Sequence, residues 1–324
     1  MATALATPEA IRRAAEILRS GGLVAFPTET VYGLGADARS ADACAKIFAV
    51  KRRPTFDPLI VHVESEPALA GLCDVRDARA RKLAAAFWPG PLTLVLPKTG
   101  AIADIVTSGL STVAVRVPAH PVARALLAES KLPIAAPSAN PFGYISPTAA
   151  EHVQSQLGRD VELVLDGGPC TVGVESTIVD LSSELPTLLR PGGIAVERIE
   201  AVVGELARAG PATTPKAPGQ LPSHYAPRTR LVLVPAFGAE VRDGERAGLL
   251  AFRPPPKELR ARCAAVEVLS EAGDLTEAAA RLFAALHRLD AEQLDVIYAE
   301  RVPPEGLGAA ILDRLQRAAA ARGP

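Results

Sequence analysis

Short apolar runs alternate with stretches of helical periodicity through the first two-thirds of the chain. The runs 23–26, 59–63, 93–96, 112–117, 134–136, 162–165 and 176–180 are rich in Val, Ile and Leu and bounded by Gly or Pro, which predicts strands. Segments 8–19, 41–50, 78–87, 121–129, 147–157 and 195–207 carry apolar residues at helical spacing and predict helices. In the first of these, Thr7 is placed to cap, Pro8 suits the first helical position, and Gly21-Gly22 stop the helix. No fixed-period repeat is visible. An α/β or α+β domain over residues 1–209 follows from this mixture.

Residues 210–229, GPATTPKAPGQLPSHYAPRT, break the pattern. Five Pro and two Gly among twenty residues predict an extended linker. His224 and Tyr225 are unusual in a passive tether. A second pattern begins beyond it, with strands at 231–234, 248–252, 265–269 and 295–298 and helices at 275–290 and 306–320. Asp274 is placed to cap the first of those helices. Strand–helix alternation predicts a small parallel, Rossmann-like sheet over 230–324. It lacks the glycine fingerprint of a dinucleotide site.

Composition narrows the class. Of 324 residues 48% are hydrophobic, enough for a sizeable core. Lys+Arg number 35 against 36 Asp+Glu, which argues against a globally basic nucleic-acid binder. Cys44, Cys73, Cys170 and Cys263 form no CxxC pair, so neither a zinc site nor a disulfide scaffold is predicted. The N-terminus carries Glu9 and Glu16 and no long apolar segment, and no run is long enough to span a membrane. A cytoplasmic protein is expected.

The chemistry-bearing residues stand on loops at strand ends. Thr28, Glu29, Thr30 and Tyr32 lie in a loop ended by Gly33 and Gly35, where glycine permits close ligand approach or positive φ; a simple turn into a helix capped by Ser40 is the alternative. Lys51, Arg52 and Arg53 follow a helix, where cations suit a phosphate or merely the helix dipole. Arg116 interrupts an apolar strand and calls for a partner, read here as a ligand carboxylate or phosphate. Ser138 and Asn140 close another strand, and Ser146 is placed to cap the helix at 147. No Ser/His/Asp order, HExxH or P-loop appears. Arginines and hydroxyls on loops suit a nucleotide phosphate chain beside a small hydroxylated substrate.

Nine segments then carry a resemblance. PTETVYGLG (27–35), K-x-RP…PLIVH (51–62), WPGPLTLVL (88–96), TVAVRVP (112–118), PSAN (137–140), SPT (146–148), ESTIVD (175–180), LRPG (189–192) and HYAP (224–227) resemble, in order, the threonylcarbamoyl-AMP synthase family in its long form. The resemblance implies a twisted open α/β sheet with a concave, positively charged groove, and a Rossmann-like C-terminal domain. It implies that L-threonine, bicarbonate or CO₂ and ATP yield threonylcarbamoyl-AMP and pyrophosphate, the first step of t⁶A37 tRNA modification. Lys51, Arg53, Ser138 and Asn140 would form the catalytic centre. Thr30, His62, Arg116, Ala136 and Ser176 would hold threonine. Arg53, Asp57, Thr112, Ser138, Ser146, Arg190 and Tyr225 would lie along ATP. Mg²⁺ would bind through the phosphates with few protein ligands. A separate tRNA threonylcarbamoyl transferase would take the product, with at most a weak tRNA contact by this chain and none with a membrane. The linker would act as a lid.

Departures from the family pattern are visible. Asp57 stands where the family commonly has Asn, and its carboxylate repels triphosphate unless Arg53 or Mg²⁺ neutralises it. Gln220-Leu-Pro-Ser replaces a more basic stretch, and Phe142 stands where Ser is common. The same groove would also suit a carbamoyl-adenylate-forming carbamoyltransferase or an RNA-binding module. The short C-terminal region and the absence of CxxC disfavour the first, and the near-zero net charge the second.

Overall fold

The computed structural model describes residues 2–209, 215–237, 241–242 and 244–320. Linker residues 210–214 lie outside the described residues. The strands of the first unit are β1 (Ala2–Leu5), β2 (Val24–Pro27), β3 (Tyr32–Asp37), β4 (Ile60–His62), β5 (Leu92–Pro97), β6 (Thr112–Arg116), β7 (Ile134–Ala135), β8 (Leu163–Asp166), β9 (Thr177–Asp180), β10 (Thr187–Arg190) and β11 (Ala207–Arg208). They form one mixed sheet in the order β1-β8-β2-β3-β7-β4-β6-β5-β9-β10-β11. Its helices are α1 (Pro8–Arg19), α2 (Ala41–Lys51), α3 (Ala78–Phe87), α4 (Pro121–Ser130), α5 (Ala150–Leu157) and α6 (Val196–Val203).

The sheet is covered on both faces because its strands are apolar on both. Val24 and Phe26 of β2 pack with α1 and α4, while Leu23 and Ala25 join the larger core with α2, α3, α5 and α6. That alternation is the period-2 geometry of a strand. The Thr7 and Ser40 caps form as the sequence predicts, each hydroxyl accepting from the backbone three residues on.

Three expectations need correction. The segment read as a loop ending in glycines contains β3, antiparallel to β2. Neither Gly33 nor Gly35 has a positive φ. A Cβ on Gly35 would stand 2.8 Å from Phe26 and Ile134, so this glycine serves strand packing. The helix predicted at 147 starts at Ala150 with Ala149 at its cap, and Ser146 instead donates to Glu175 Oε1 at 2.5 Å. The helix predicted over 195–207 ends at Val203, and the chain then re-enters the sheet as β11. Strands β1 and β10 were not predicted either.

The second sheet is fully parallel, in the order β12-β15-β13-β14. Its strands are β12 (Arg230–Val234), β13 (Ala247–Ala251), β14 (Ala265–Val268) and β15 (Val296–Glu300). Its helices are α7 (Lys257–Ala261), α8 (Leu275–Ala291) and α9 (Gly308–Ala319). Asp274 caps α8 through its carboxylate, which accepts from Glu277 N at 2.7 Å. The core beneath α8 and α9 does not stop at this sheet. It takes in Val31, Ile145 and Val174 of the first unit and Tyr225 of the linker, so the two units share apolar packing around the linker.

Candidate active site

Strands β4 and β6 run parallel, with His62 opposite Arg116 at their C-terminal ends. The chain leaving β7 passes Ala136 and Ser138, and Ser138 bridges to Gly33 of β3. Ser176 precedes β9 and Arg190 ends β10. These strand ends converge on a buried cavity of about 40 Å³, lined by Thr30, Arg53, His62, Arg116, Ala136, Ser138, Glu175, Ser176 and Arg190. Pro218, Gly219, His224 and Tyr225 of the linker close it. Ligand-binding clefts run to roughly 300–1,000 Å³. With the linker in this position the cavity is smaller than such a cleft.

The cations of the site have different partners. Arg116 donates to Gly90 O at 3.2 Å, to Thr30 Oγ1 at 3.0 Å and to Glu29 Oε1 at 2.5 Å. Its buried partner is thus Glu29, where the sequence favoured a ligand carboxylate or phosphate. Those bonds leave one N–H on each terminal nitrogen for a substrate. Arg53 reaches the carboxylate of Asp57 at 2.9 Å while its N–H groups donate to the carbonyls of Asp57 and Pro58. Asp57 is thus neutralised by Arg53, though burial still holds its pKa above the usual carboxylate value against the pull of Arg53 and Lys51. Arg190 donates, among the described residues, to the carbonyls of Ser176 and Pro218 and to Ser176 Oγ, with Glu175 near enough to act on its charge. A guanidinium whose hydrogen bonds go to neutral acceptors, with no carboxylate bonded to it, can still receive an anion.

Lys51 and Asn140 stand behind the lining. Lys51 is almost wholly buried and donates from Nζ to Ser138 O at 2.6 Å and to Asn140 O. Burial and the neighbouring Arg53 push its pKa well below the ordinary lysine value. Asn140 donates to Pro141 O and Tyr144 O, each at 2.9 Å, and its Oδ1 is buried without a partner. Lys51 thus ties the Ser138–Asn140 turn to the end of α2 and faces the cavity only through that turn. Thr112 begins β6 at the end remote from Arg116 and lies outside the lining.

His62 is buried and neutral. Burial and Arg116 push its pKa down to about 3, and its Nδ1 has no partner. His224 is likewise held well below the ordinary value by burial and the surrounding cations. Tyr225 adopts φ 63°. Its ring lies 4.2 Å from His224 and 5.7 Å from Phe283 between centroids, and its hydroxyl is buried without a partner.

Two contributors were not read from the sequence. Gly219, at φ 81°, would carry a Cβ 2.6 Å from the Tyr225 hydroxyl and about 3 Å from Arg190. Arg314 enters from α9 and binds Glu175 Oε2 at 2.8 Å. A signal for it existed. Arg314 falls on the stripe of Ile311, Leu315 and Ala318, and a charge on an apolar helix face calls for a partner.

Residues 16–192 match the family model described as "Telomere recombination", that of the Sua5, YciO and YrdC proteins. Residues 194–320 match one described as "Threonylcarbamoyl-AMP synthase, C-terminal domain". The chain belongs to the Sua5–YciO–YrdC family. Among its relatives, the threonylcarbamoyl-AMP synthase of Pyrococcus abyssi is 44% identical over 322 residues, covering 96% of this chain and 94% of that one. The threonylcarbamoyl-AMP synthase of Bacillus subtilis is 42% identical over 328 residues, covering 96% and 93%. The crystal structure of P. abyssi Sua5 complexed with L-threonine matches at a TM-score of 0.90 and 41% identity, covering 98% of this chain and 96% of that one. Both units of the fold are therefore shared, including the parallel C-terminal sheet.

Proposed function

We propose that this chain is an L-threonylcarbamoyladenylate synthase. It joins L-threonine, bicarbonate or CO₂ and ATP into threonylcarbamoyl-AMP, releasing pyrophosphate, as the first step of t⁶A37 modification. The observation that supports this most is the match to threonylcarbamoyl-AMP synthases across both units of the chain. The cavity is consistent with it, having a hydroxyl- and imidazole-lined end beside an arginine-lined end.

In this reading Thr30, His62, Arg116, Ala136 and Ser176 form the threonine end. The remaining N–H groups of Arg116 take the α-carboxylate, and the unpaired Nδ1 of neutral His62 is free to hydrogen-bond one of the amino acid's polar groups. The amine adds to CO₂ to give a carbamate. A carbamate oxygen then bonds to the α-phosphorus, the bond to the β-phosphate breaks, and pyrophosphate leaves. Arg53 and Arg190 stabilise charge developing on the phosphoryl oxygens, because they are already placed and shielded from water. Ser138 orients the phosphate, while Lys51 and Asn140 hold its turn. Ser146, Asp57 and Thr112 would border the nucleotide once the linker opens, and Tyr225 would close over it.

The carboxylates nearest the cavity fit a metal carried by the substrate. Glu29, Asp57 and Glu175 are each paired with an arginine, and no cluster of three or more metal-ligating side chains occurs among the described residues. Mg²⁺ bound through the ATP phosphates would supply further charge neutralisation there. A linker reclosed over the bound adenylate would keep water from the mixed anhydride product. A tRNA threonylcarbamoyl transferase would take that product, with at most a weak tRNA contact by this chain. No helix among the described residues is long and apolar enough to cross a membrane, and a cytoplasmic site of action fits the free thiols.

The test is to incubate the protein with Mg²⁺, ATP, L-threonine and ¹³C-bicarbonate and identify the adenylate by mass. A product one mass unit heavier than from unlabelled bicarbonate is expected. A carbamoylated nucleotide formed from carbamoyl phosphate and ATP without threonine would instead indicate a carbamoyltransferase.

A further inference from the structure

The carboxylate of Glu175 lines the cavity on the side where Arg190 waits for an anion. A carboxylate there repels a phosphate unless it is neutralised. Within the first unit its hydrogen-bond partner is the Ser146 hydroxyl, which carries no charge. Arg190 offsets part of that charge through space, and the direct ion pair comes from the other unit. Arg314 of α9 is fully buried and donates to Glu175 Oε2 at 2.8 Å, to Pro191 O at 2.9 Å and to Asp313 Oδ2 at 2.7 Å, while Asp313 is itself paired with Arg317 and so leaves Arg314 charge for Glu175. Its guanidinium also lies 5.1 Å from the centre of the Tyr225 ring, within cation–π range. The same helix grips the linker elsewhere: Arg317 donates to Leu221 O, and its carbonyl accepts from His224 N.

We infer that Arg314 is a positioning residue which the C-terminal unit contributes to the phosphate end of the site, cancelling the charge of Glu175 and seating Tyr225. The cavity then accepts a polyanion only when α9 is docked against the first unit. One side chain links three parts of the molecule: the cavity wall, the lid and the second sheet's helix layer. The inference rests on the ATP reading above and adds the residue that makes the wall electrostatically receptive.

The test is calorimetric binding of Mg·ATP to full-length protein, with thermal unfolding as the control for folding. Arg314→Ala is expected to weaken ATP binding at least tenfold, and Arg314→Lys to recover part of the loss. The decisive variant is the pair Arg314→Met with Glu175→Gln, which removes both charges and keeps the volume. It is expected to bind ATP within threefold of wild type. Glu175→Gln alone is expected to bind ATP as tightly as wild type or more tightly. Should Arg314→Ala fail to fold, the pair and Glu175→Gln alone still decide. A tenfold loss in the pair, weaker binding by Glu175→Gln, or unchanged binding by folded Arg314→Ala would overturn the inference and leave the ATP reading standing. Absence of ATP binding by the wild type would overturn both.

Discussion

At the scale of single residues, charge pairing decides what the site can bind. Each buried arginine of the site has a different partner, and the partner sets its remaining capacity. Arg190 is hydrogen-bonded to carbonyls and a hydroxyl and bonded to no carboxylate, so it can still receive a phosphate. Arg53 shares its charge with Asp57, which receives the charge but no aligned hydrogen bond. Replacing Asp57 by Asn should leave the carbonyl contacts of Arg53 intact and release its charge to the nucleotide. A KM for ATP several-fold lower than wild type, with kcat little changed, is expected from initial-rate kinetics. Gly219 is the other decisive position. Any side chain there meets Tyr225 and Arg190, and φ 81° is itself strained for an L-residue. Gly219→Ala should keep the lid from seating, lowering kcat/KM at least tenfold. Because Gly219 is buried against Tyr225 and Arg190, a fall in stability of about 1–3 kcal/mol should accompany it by denaturant titration. Arg53, Asp57, Arg116 and Arg190 could be picked out in the sequence because charges near apolar runs are conspicuous. Their pairings could not, since Glu29 and Arg116 meet only when a hairpin and a distant strand share one sheet.

At the scale of elements, period and punctuation carried the strands that are buried on both faces. Helices α1, α2 and α8 are legible for the same reason: Thr7, Ser40 and Asp274 stand immediately before an apolar period and cap them. Failures occur where a segment lacks such marks. β3 reads YGLGAD, with two glycines that suggest a turn, yet they are there so that Phe26 and Ile134 can pack across them. Gly35→Ala would place a methyl group against both, so a loss of about 1–3 kcal/mol is expected from overpacking, read as a lower urea midpoint. Strands β1 and β11 are short edge strands at the two ends of the large sheet, and their apolar content is too small to announce them. Ser146 misled because a hydroxyl four residues before a helix resembles a cap, whereas here it serves a buried carboxylate.

At the scale of the whole molecule, the linker and the two units form one packed object around the cavity. Their common core through Val31, Ile145, Val174 and Tyr225 explains why aromatic and imidazole groups interrupt a proline-rich segment. The molecule also buries imidazoles across this region. Burial and Arg116 hold His62 at about 3, burial and His152 hold His287 at about 3, and burial with nearby cations holds His224 well below its ordinary value. In the unfolded chain each titrates near 6.5. Between pH 6.5 and about 3 the unfolded state therefore binds more protons, and stability falls as pH falls. Each such imidazole contributes up to about 1.4 kcal/mol per pH unit in that window. Urea midpoints should drop steeply from pH 7 to pH 5, and a flat profile would contradict the buried neutral assignment. In catalysis no limb from His62 should appear in kcat/KM between pH 5 and 9.

The reaction itself is tested most directly by pyrophosphate release from purified protein supplied with Mg²⁺, ATP, bicarbonate and L-threonine. The account predicts release that requires both threonine and bicarbonate and falls sharply when serine replaces threonine. Release that persists without threonine, or no release with all components present, would contradict it.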